Sequence, residues 1–314
     1  MDIDKLVNMK HWIVFGVLSI LWGSSFLLIK IALGEVSPIT VVAFSYSFGL
    51  VGVIPLICVA GQGFPRDRST YLCYVFIAVF NGVLPFLLTS WGETGIDSGL
   101  ASILNGTVPL FTIAIAHFWL ADEKITKSKI LGLMIGFLGV VMLVGGNLGR
   151  SVARAELFPH VAVLSAAICY AISMNFTRKY LSTKPAVAQT TMMLLFSNLI
   201  IWSAMPLVGH PLRMPVQLTT WTALVFLGLL SSSAGYYLYF DLINAWGATR
   251  ASLVNYVFPI IGLFLGVTFL GETITLGIVS GSFLVVIGVL LSSGSSLRWM
   301  LAYRSTRDSA PKRS

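Results

Sequence analysis

The sequence predicts an all-α polytopic membrane protein whose ten transmembrane helices form two inverted five-helix repeats. Three observations support this fold class. Hydrophobic residues make up 56% of the 314 residues and charged residues only 10%, whereas a soluble domain carries about a quarter charged residues. Apolar runs long enough to cross a bilayer recur along the whole chain. A polar pattern found in the first half also returns in the second half.

Hydropathy places ten spans along the chain, each close to the length that a helix needs to cross the hydrocarbon layer. The first span is too long for the apolar segment of a cleaved signal peptide, and no A-x-A-like site follows it. We therefore expect it to stay in the protein. The predicted spans lie near 12–33, 38–60, 71–91, 98–120, 129–146, 157–179, 187–208, 218–240, 248–270 and 275–293.

The basic residues are distributed unevenly between the predicted loops. With the N-terminus inside, sixteen Lys and Arg residues fall in cytoplasmic segments and the tail, while Arg150, Arg154 and Arg213 fall in outer loops and Lys30 lies within a span. This positive-inside bias predicts that both termini are cytoplasmic. Because the bases occupy loops and ends, the net charge of +8 gives no reason to expect nucleic-acid binding.

The residues that could hold a metal or form a disulfide show no matching pattern. Cys58, Cys73 and Cys169 fall within or at the edge of apolar spans and have no C-x-x-C spacing, which favours a role in helix packing. The four His residues also lack the spacing of metal ligands. We therefore expect no metal and no cofactor.

The polar pattern A-S-x-x-N-x-x-x-P occurs twice, as "ASILNGTVP" at 101–109 and "ASLVNYVFP" at 251–259. Other features of the first half recur in the same order in the second. Since each half has an odd number of spans, the second copy must lie upside down in the membrane, as in many secondary transporters. The further matches are Trp22, Ser25 and Lys30 with Tyr170, Ser173 and Arg178, Asn81 and Pro85 with Ser231 and Gly235, and Gly132 and Gly136 with Gly277 and Gly281.

These features together resemble the drug/metabolite transporter superfamily, in its EamA-type group of two five-helix domains. The resemblance covers about 12–293 and rests on "LWGSSFLLIK" at 21–30, "SP" at 37–38, the two repeated patterns and the "E.IT" ends at 123–126 and 272–275. Members often carry an Arg seven residues after the Pro of the second helix, where this chain has Ser45. The resemblance implies a multi-pass protein of the cell membrane, here the bacterial inner membrane, that is a monomer or a weak homodimer.

The predicted domain organisation follows from the repeat. The first EamA-like five-helix repeat is expected over 1–146, with its N-terminus cytoplasmic, and an extracytoplasmic linker over 147–156. The second repeat is expected over 157–293, and a basic cytoplasmic tail over 294–314.

Polar and aromatic residues at mid-span are the candidates for substrate binding. In each repeated pattern the Ser, the Asn and the Pro share one helical face, and the Pro leaves a backbone carbonyl that a neighbour or cavity water must satisfy. Interhelical packing is the alternative for these residues and for the mid-span aromatics. The predicted substrate-binding residues are Trp22, Ser25, Asn81, Ser102, Asn105, Tyr170, Tyr236, Tyr239, Ser252 and Asn255.

A second group of residues is predicted to act in gating. Lys30 lies near the outer end of its span and is assigned to an outer gate, with snorkelling to the headgroups as the alternative. Helix-weakening residues in the third, fourth, eighth and ninth spans are assigned to hinges: Pro85, Pro109, Gly235 and Pro259.

We interpret the chain as a secondary transporter of small metabolites. The resemblance implies an exporter of amino acids or related amphipathic metabolites that works by alternating access. An importer of a small metabolite or vitamin with the same fold is the alternative. An enzyme is disfavoured because H-E-x-x-H and G-x-S-x-G are absent, and ATP use because no G-x-x-x-x-G-K-[ST] occurs. A channel is the remaining possibility.

Overall fold

The fold was analysed in a computed structural model that describes residues 3–60, 67–120, 125–147, 154–208 and 214–292. All regular secondary structure in these ranges is helical. The predicted tail at 294–314 and most of the predicted linker at 147–156 lie outside the described residues. The predicted domain boundaries therefore stay predictions.

Ten helices run through the described part of the chain, in the order and near the positions that hydropathy predicts. They are α1, Ile3–Leu33; α2, Pro38–Ala60; α3, Arg68–Gly92; α4, Ser98–Trp119; α5, Lys127–Asn147; α6, Arg154–Tyr180; α7, Ala186–Ala204, followed by the 3-10 turn Met205–Val208; α8, Leu218–Trp246; α9, 248–270; and α10, Leu276–Ser292.

Eight of these helices are long and apolar enough to cross a membrane, and the apolar parts of the other two, Val254–Leu270 and Leu276–Leu291, are shorter. The first part of α9 is irregular, because a 3-10 segment, Ser252–Tyr256, separates a single α-turn from the helix Phe258–Leu270. The all-helical fold class predicted from the sequence is confirmed.

Two helices contain π-helical segments at equivalent places in the two halves. In α3 the segment is Ala78–Val83 and in α8 it is Leu227–Ala234. Asn81 and Ser231, which the sequence repeat pairs, lie inside them. A π-segment leaves backbone groups outside the regular ladder, and such segments are frequent at functional sites.

The helix contacts follow a two-fold pattern in which α1 to α5 correspond to α6 to α10. The helices α2 and α7, α4 and α9, and α5 and α10 pack on their own equivalents. The contact of α3 with α6 matches that of α8 with α1, and the contact of α2 with α8 matches that of α7 with α3. The contact of α1 with α9 matches that of α6 with α4. The two halves therefore wrap around each other instead of standing side by side.

The two halves come close together where α5 packs against α10. A Cβ on Gly139 would come within 2.7 Å of the Gly281 carbonyl oxygen, and a Cβ on Gly281 within 3.0 Å of the Gly139 carbonyl oxygen. Only glycine allows the two backbones to come this near, as in other small-residue helix contacts in membranes.

Candidate functional site

A cavity lies between the two halves, walled by α1, α3, α4, α6, α8 and α9. It encloses about 700 Å³ of empty space, counting the part that is open to solvent. None of the described residues that line it carries a formal charge. Its walls consist of Trp22, Ser25, Phe26, Ile29, Phe86, Thr89, Asn105, Val108, Tyr170, Met174, Leu227, Ser231, Ser232, Tyr236, Tyr239, Asn255 and Phe258.

Most of the substrate-binding residues predicted from the sequence come together on these walls. The structure brings seven of them to the cavity: Trp22, Ser25, Asn105, Tyr170, Tyr236, Tyr239 and Asn255. The other three, Asn81, Ser102 and Ser252, are buried but are not among the lining residues. Their surroundings are described below.

The π-segment of α3 contains a carbonyl that lacks its usual donor one helical turn later. Pro85 has no backbone N–H to donate to the carbonyl of Asn81, one turn earlier. The hydroxyl of Tyr236 donates to this oxygen instead, at 3.1 Å. A side chain of the second half therefore satisfies a backbone group that the sequence of the first half sets free.

The π-segment of α8 repeats this arrangement in the opposite direction. The N–H of Gly235 bonds to the carbonyl of Leu230 instead of the carbonyl of Ser231. The indole N–H of Trp22 donates to the Ser231 carbonyl, at 2.9 Å. A Cβ on Gly235 would lie 2.6 Å from the Trp22 Nε1 atom, so glycine at this position gives the indole room to reach the carbonyl.

Trp22 is also the centre of an aromatic cluster at the cavity wall. Its ring lies 5.0 Å from the Tyr239 ring, 5.5 Å from the Tyr236 ring and 6.0 Å from the Phe258 ring, measured between centroids. Tilted and edge-on pairs at these distances are favourable arrangements for aromatic rings. Tyr170, which the repeat pairs with Trp22, lies beside Tyr236 on the same wall.

The two Asn residues of the repeated pattern face the cavity at the point where α4 and α9 cross. The amide of Asn255 donates to the Ser252 carbonyl at 3.0 Å. The Oδ1 atom of Asn105 is buried and has no hydrogen-bond partner among the described residues, and the same holds for the Thr89 hydroxyl. Buried polar atoms without partners are costly, so these two groups are available to a bound solute.

Asn81, Ser102 and Ser252 are buried outside the set of residues that line the cavity, and their part in substrate binding stays a prediction. Asn81 lies behind the tyrosines, since its carbonyl and side-chain oxygens accept from Tyr236 and Tyr239. The Ser102 hydroxyl bonds back to the Gly99 carbonyl at 2.7 Å and fills the contact between α4 and α9 at Gly262. Ser252 begins the 3-10 segment of α9 and is buried. These residues support the wall but do not form its surface.

The predicted hinge residues lie at breaks in the helical hydrogen bonding. Pro85 and Gly235 follow the two π-segments directly. Pro109 follows the interruption of α4 after Asn105, and Pro259 follows the 3-10 segment of α9. Their role as hinges stays a prediction.

Lys30 lies one residue beyond the cavity wall at Ile29. Its ammonium group donates to the carbonyls of Glu93 and Ile96 at 2.6 and 2.7 Å, and so ties α1 to the loop between α3 and α4. The side chain is partly buried. Its part in gating remains a prediction.

Several wall residues were missed by the sequence reasoning, although helical spacing could have found them. Phe26 lies one turn after Trp22, and Thr89 lies one turn after Pro85, so each shares a helix face with a predicted residue. Ser231 appeared only as the counterpart of Asn81, and Ser232 carried no signal, because a π-segment shifts the face that residues present.

In the described ranges, no three His, Cys, Asp or Glu side chains come together as metal ligands. The cavity therefore has the chemistry of a binding site for a small amphipathic solute: apolar and aromatic walls with a few polar atoms.

Comparison with known proteins agrees with this description. The profile of the EamA-like transporter family matches residues 10–145 and 157–294. The chain is similar to an uncharacterized transporter of Archaeoglobus fulgidus, at 27% identity over 90% of this chain and 98% of that protein. It is also similar to a probable amino-acid metabolite efflux pump of Escherichia coli, at 25% identity over 92% and 97% of the two chains.

One solved structure, described only as the crystal structure of a protein, has a similar fold. Its TM-score is 0.70 at 17% sequence identity, with 93% of this chain and 99% of that chain covered. At this identity the likeness concerns the fold alone.

Proposed function

The chain belongs to the EamA-like transporter family, and from this premise we propose that it is a secondary transporter that exports amino acids or related amphipathic metabolites. The family makes it a multi-pass membrane protein with a small-molecule substrate. The name of the Escherichia coli relative, a probable amino-acid metabolite efflux pump, supports the substrate class.

The observation that carries the proposal is the uncharged cavity between the two halves. Its aromatic wall around Trp22 suits the apolar part of a solute, and the unpartnered oxygens of Asn105 and Thr89 suit a donor such as an amino group. Because none of the lining residues that the structure describes has a formal charge, a neutral or zwitterionic solute fits better than one with a net charge.

Alternating access would be a rocking of the two halves about this cavity. The bonds of Trp22 to Ser231 and of Tyr236 to Asn81 both cross between the halves. Each is a single hydrogen bond from a side-chain donor to a backbone carbonyl, so either bond can break and re-form without unfolding a helix. Such reciprocal contacts suit two related bundles that move around a fixed site.

The proposed location is the bacterial inner membrane, with both termini cytoplasmic and the protein a monomer or a weak homodimer. The basic residues of the predicted inner segments support this orientation. Labelling of a single cysteine at position 149 by an impermeant reagent in intact cells checks the orientation. Protection of position 149 together with labelling of the 61–70 segment would contradict it.

Reconstitution of the purified protein into liposomes tests the function. We expect saturable flux of one or more neutral or zwitterionic amino acids down their gradients with no nucleotide present. Growth of an overexpressing strain on a panel of toxic amino-acid analogues reports direction, since an exporter gives resistance and an importer gives sensitivity. Absence of flux for the whole panel, or a strict requirement for ATP, would contradict the proposal.

A further inference from the structure

Glu93 is a buried acid that the proposed transport cycle does not use. It follows the last turn of α3, and its side chain has no exposure to solvent. Neither of its carboxylate oxygens has a hydrogen-bond partner among the described residues. An ionised carboxylate in such a place costs several kcal/mol, and a group placed there usually takes up a proton instead.

The two charged groups near Glu93, those of Lys30 and Glu272, are hydrogen-bonded to other groups. The Lys30 ammonium from α1 is held by two backbone carbonyls, those of Glu93 and Ile96. The carboxylate of Glu272, which precedes α10, accepts from the backbone N–H groups of Ser98 and Gly99 at 2.7 and 2.8 Å and from the Ser98 hydroxyl at 2.6 Å. The first turn of α4 thus holds the Glu272 side chain, which leaves Glu93 without a direct partner among the described residues.

Two other titratable groups lie near Glu93, one in its own loop and one on a helix that packs against α3. Asp97 shares its loop and is exposed. On α6, which packs against α3, the nearest titratable residue along the chain is His160, one residue after the Pro159 ring that covers Gly95. Burial is the largest cause that raises the pKa of Glu93 well above its ordinary value; Lys30 opposes this effect and Glu272 adds to it.

The place of Glu93 links it to the cavity. Thr89 on the cavity wall is one turn before Glu93, and Ile29 on the wall is next to Lys30. One helical turn is about 5.4 Å long, so this cluster lies about one turn from the cavity wall. The repeat places Ile243 at the position equivalent to Glu93, so the buried acid belongs to one end only.

We propose that the carboxyl group of Glu93 is a proton-binding site at this end of the cavity. It holds a proton while the loop 93–97 covers it, and it releases the proton to water on the same side when this end opens. The release breaks the carboxyl O–H bond and leaves a carboxylate that water and Lys30 then stabilise. The claim that Glu93 holds a proton depends on the geometry alone, whereas the claim that this end opens depends on the proposed function.

The sign of the pH effect follows from linkage. The closed arrangement binds the Glu93 proton more tightly than an exposed Glu does, so the bound proton stabilises this arrangement fully at acidic pH. That stabilisation is lost as pH rises from the ordinary Glu range toward the raised pKa of Glu93. Acid on the side of this loop therefore favours the closed end, and alkali favours the open one.

Infrared spectroscopy of the purified, full-length protein tests the proton directly. The carbonyl stretch of a protonated carboxylic acid should be present at pH 7, absent from Glu93→Gln, and retained in Asp97→Asn, the control variant in the same loop. The same band should disappear when the parent is titrated to higher pH. A parent protein with no such band at pH 7, or a band that survives in Glu93→Gln, would overturn the proposal.

Thermal stability as a function of pH gives a second test that needs no transport. Glu93→Gln copies the shape of the neutral acid, so it should fold and match the parent at acidic pH. Above neutral pH the parent should melt at a lower temperature than Glu93→Gln. Parallel profiles for the parent and Glu93→Gln would overturn the proposal, and neither result depends on which solute is carried.

Discussion

The π-segments of α3 and α8 occupy equivalent places in the two halves, yet they free a backbone carbonyl by different means. In α3, Pro85 lacks the N–H that would bond to Asn81. In α8, Gly235 has the N–H but donates it to Leu230. In both cases an aromatic donor from the other half takes the carbonyl, Tyr236 in the first and Trp22 in the second.

This difference shows that the repeat maintains a backbone geometry and not a residue type. Pro and Gly are opposite in conformational freedom, yet both give a carbonyl that a cavity side chain can reach. The donors also differ: Trp22 lies in α1, but its counterpart in the repeat, Tyr170, does not take the equivalent carbonyl. Tyr236, from α8, does so instead. The two halves are therefore related in backbone and distinct in side chains, which allows a cavity with two unlike walls.

The largest effect is expected from Trp22→Ala. This change removes the bond to Ser231 and the ring that contacts Tyr236, Tyr239 and Phe258. Trp22 is half-buried on the cavity wall, and loss of an aromatic anchor of this kind costs about 2–4 kcal/mol of binding free energy. Transport in liposomes should therefore fall about a hundredfold. Trp91→Ala, at an exposed Trp of α3, is the control. Full transport by a well-expressed Trp22→Ala protein would mean that the α8 carbonyl needs no donor.

Gly235→Ala should have the next largest effect. The new Cβ would come within 2.6 Å of the Trp22 Nε1 atom and push the indole away from the Ser231 carbonyl. Overpacking of this kind costs about 1–3 kcal/mol, so transport should drop about tenfold. Gly16→Ala is the matched control, because a Cβ there meets nothing within 4 Å. Equal transport by Gly235→Ala and Gly16→Ala would contradict the view that glycine at 235 gives the Trp22 indole the room it needs.

A stability measurement tests whether the bond from Tyr236 to Asn81 in α3 depends on Pro85. Tyr236→Phe should destabilise the protein by about 1 kcal/mol, because Pro85 cannot supply the donor that Asn81 loses. In a Pro85→Ala background the new backbone N–H can bond to Asn81, so the same change should cost clearly less. The double-mutant cycle in detergent measures this coupling. Additive effects would show that Pro85 and Tyr236 act independently.

The smallest effect is expected from Tyr239→Phe. Its hydroxyl lies 3.5 Å from the Asn81 side-chain oxygen, which is long for a hydrogen bond. Stability should change by less than about 0.5 kcal/mol, in contrast to Tyr236→Phe. A loss as large as that of Tyr236→Phe would mean that the side chain of Asn81, and not its carbonyl, holds the two halves together.

The helices could be predicted from the sequence because lipid leaves few choices. A backbone in hydrocarbon must satisfy its own hydrogen bonds, so long apolar runs become helices. The irregular start of α9 could not be predicted from its apolar composition. Its sequence pattern equals that of α4, yet it forms a 3-10 segment where α4 forms a regular α-helix over Ser98–Asn105. Glu272 caps the start of α4.

The candidate site could be predicted in part, for a related reason. Trp22, Asn105 and Asn255 stood out as polar or aromatic residues at mid-span, and all three lie on the cavity wall. Spacing on an unbroken helix also suggested Ser102, but its hydroxyl turns back to the Gly99 carbonyl in the contact with α9. The buried position of Glu93 depends on the packing of three other segments, which no local pattern reports.

The central claim is that the cavity between the halves is the site of the transported solute. Asn105→Leu tests it most directly, because it removes a buried oxygen that no described residue satisfies and keeps a similar volume. The control is Asn198→Leu, since Asn198 bonds to Ser47 away from the cavity. We predict that Asn105→Leu changes which amino acids liposomes accept, with selectivity shifts of about tenfold, and that Asn198→Leu does not. A well-expressed Asn105→Leu protein with the parent's activity and substrate profile would contradict the claim.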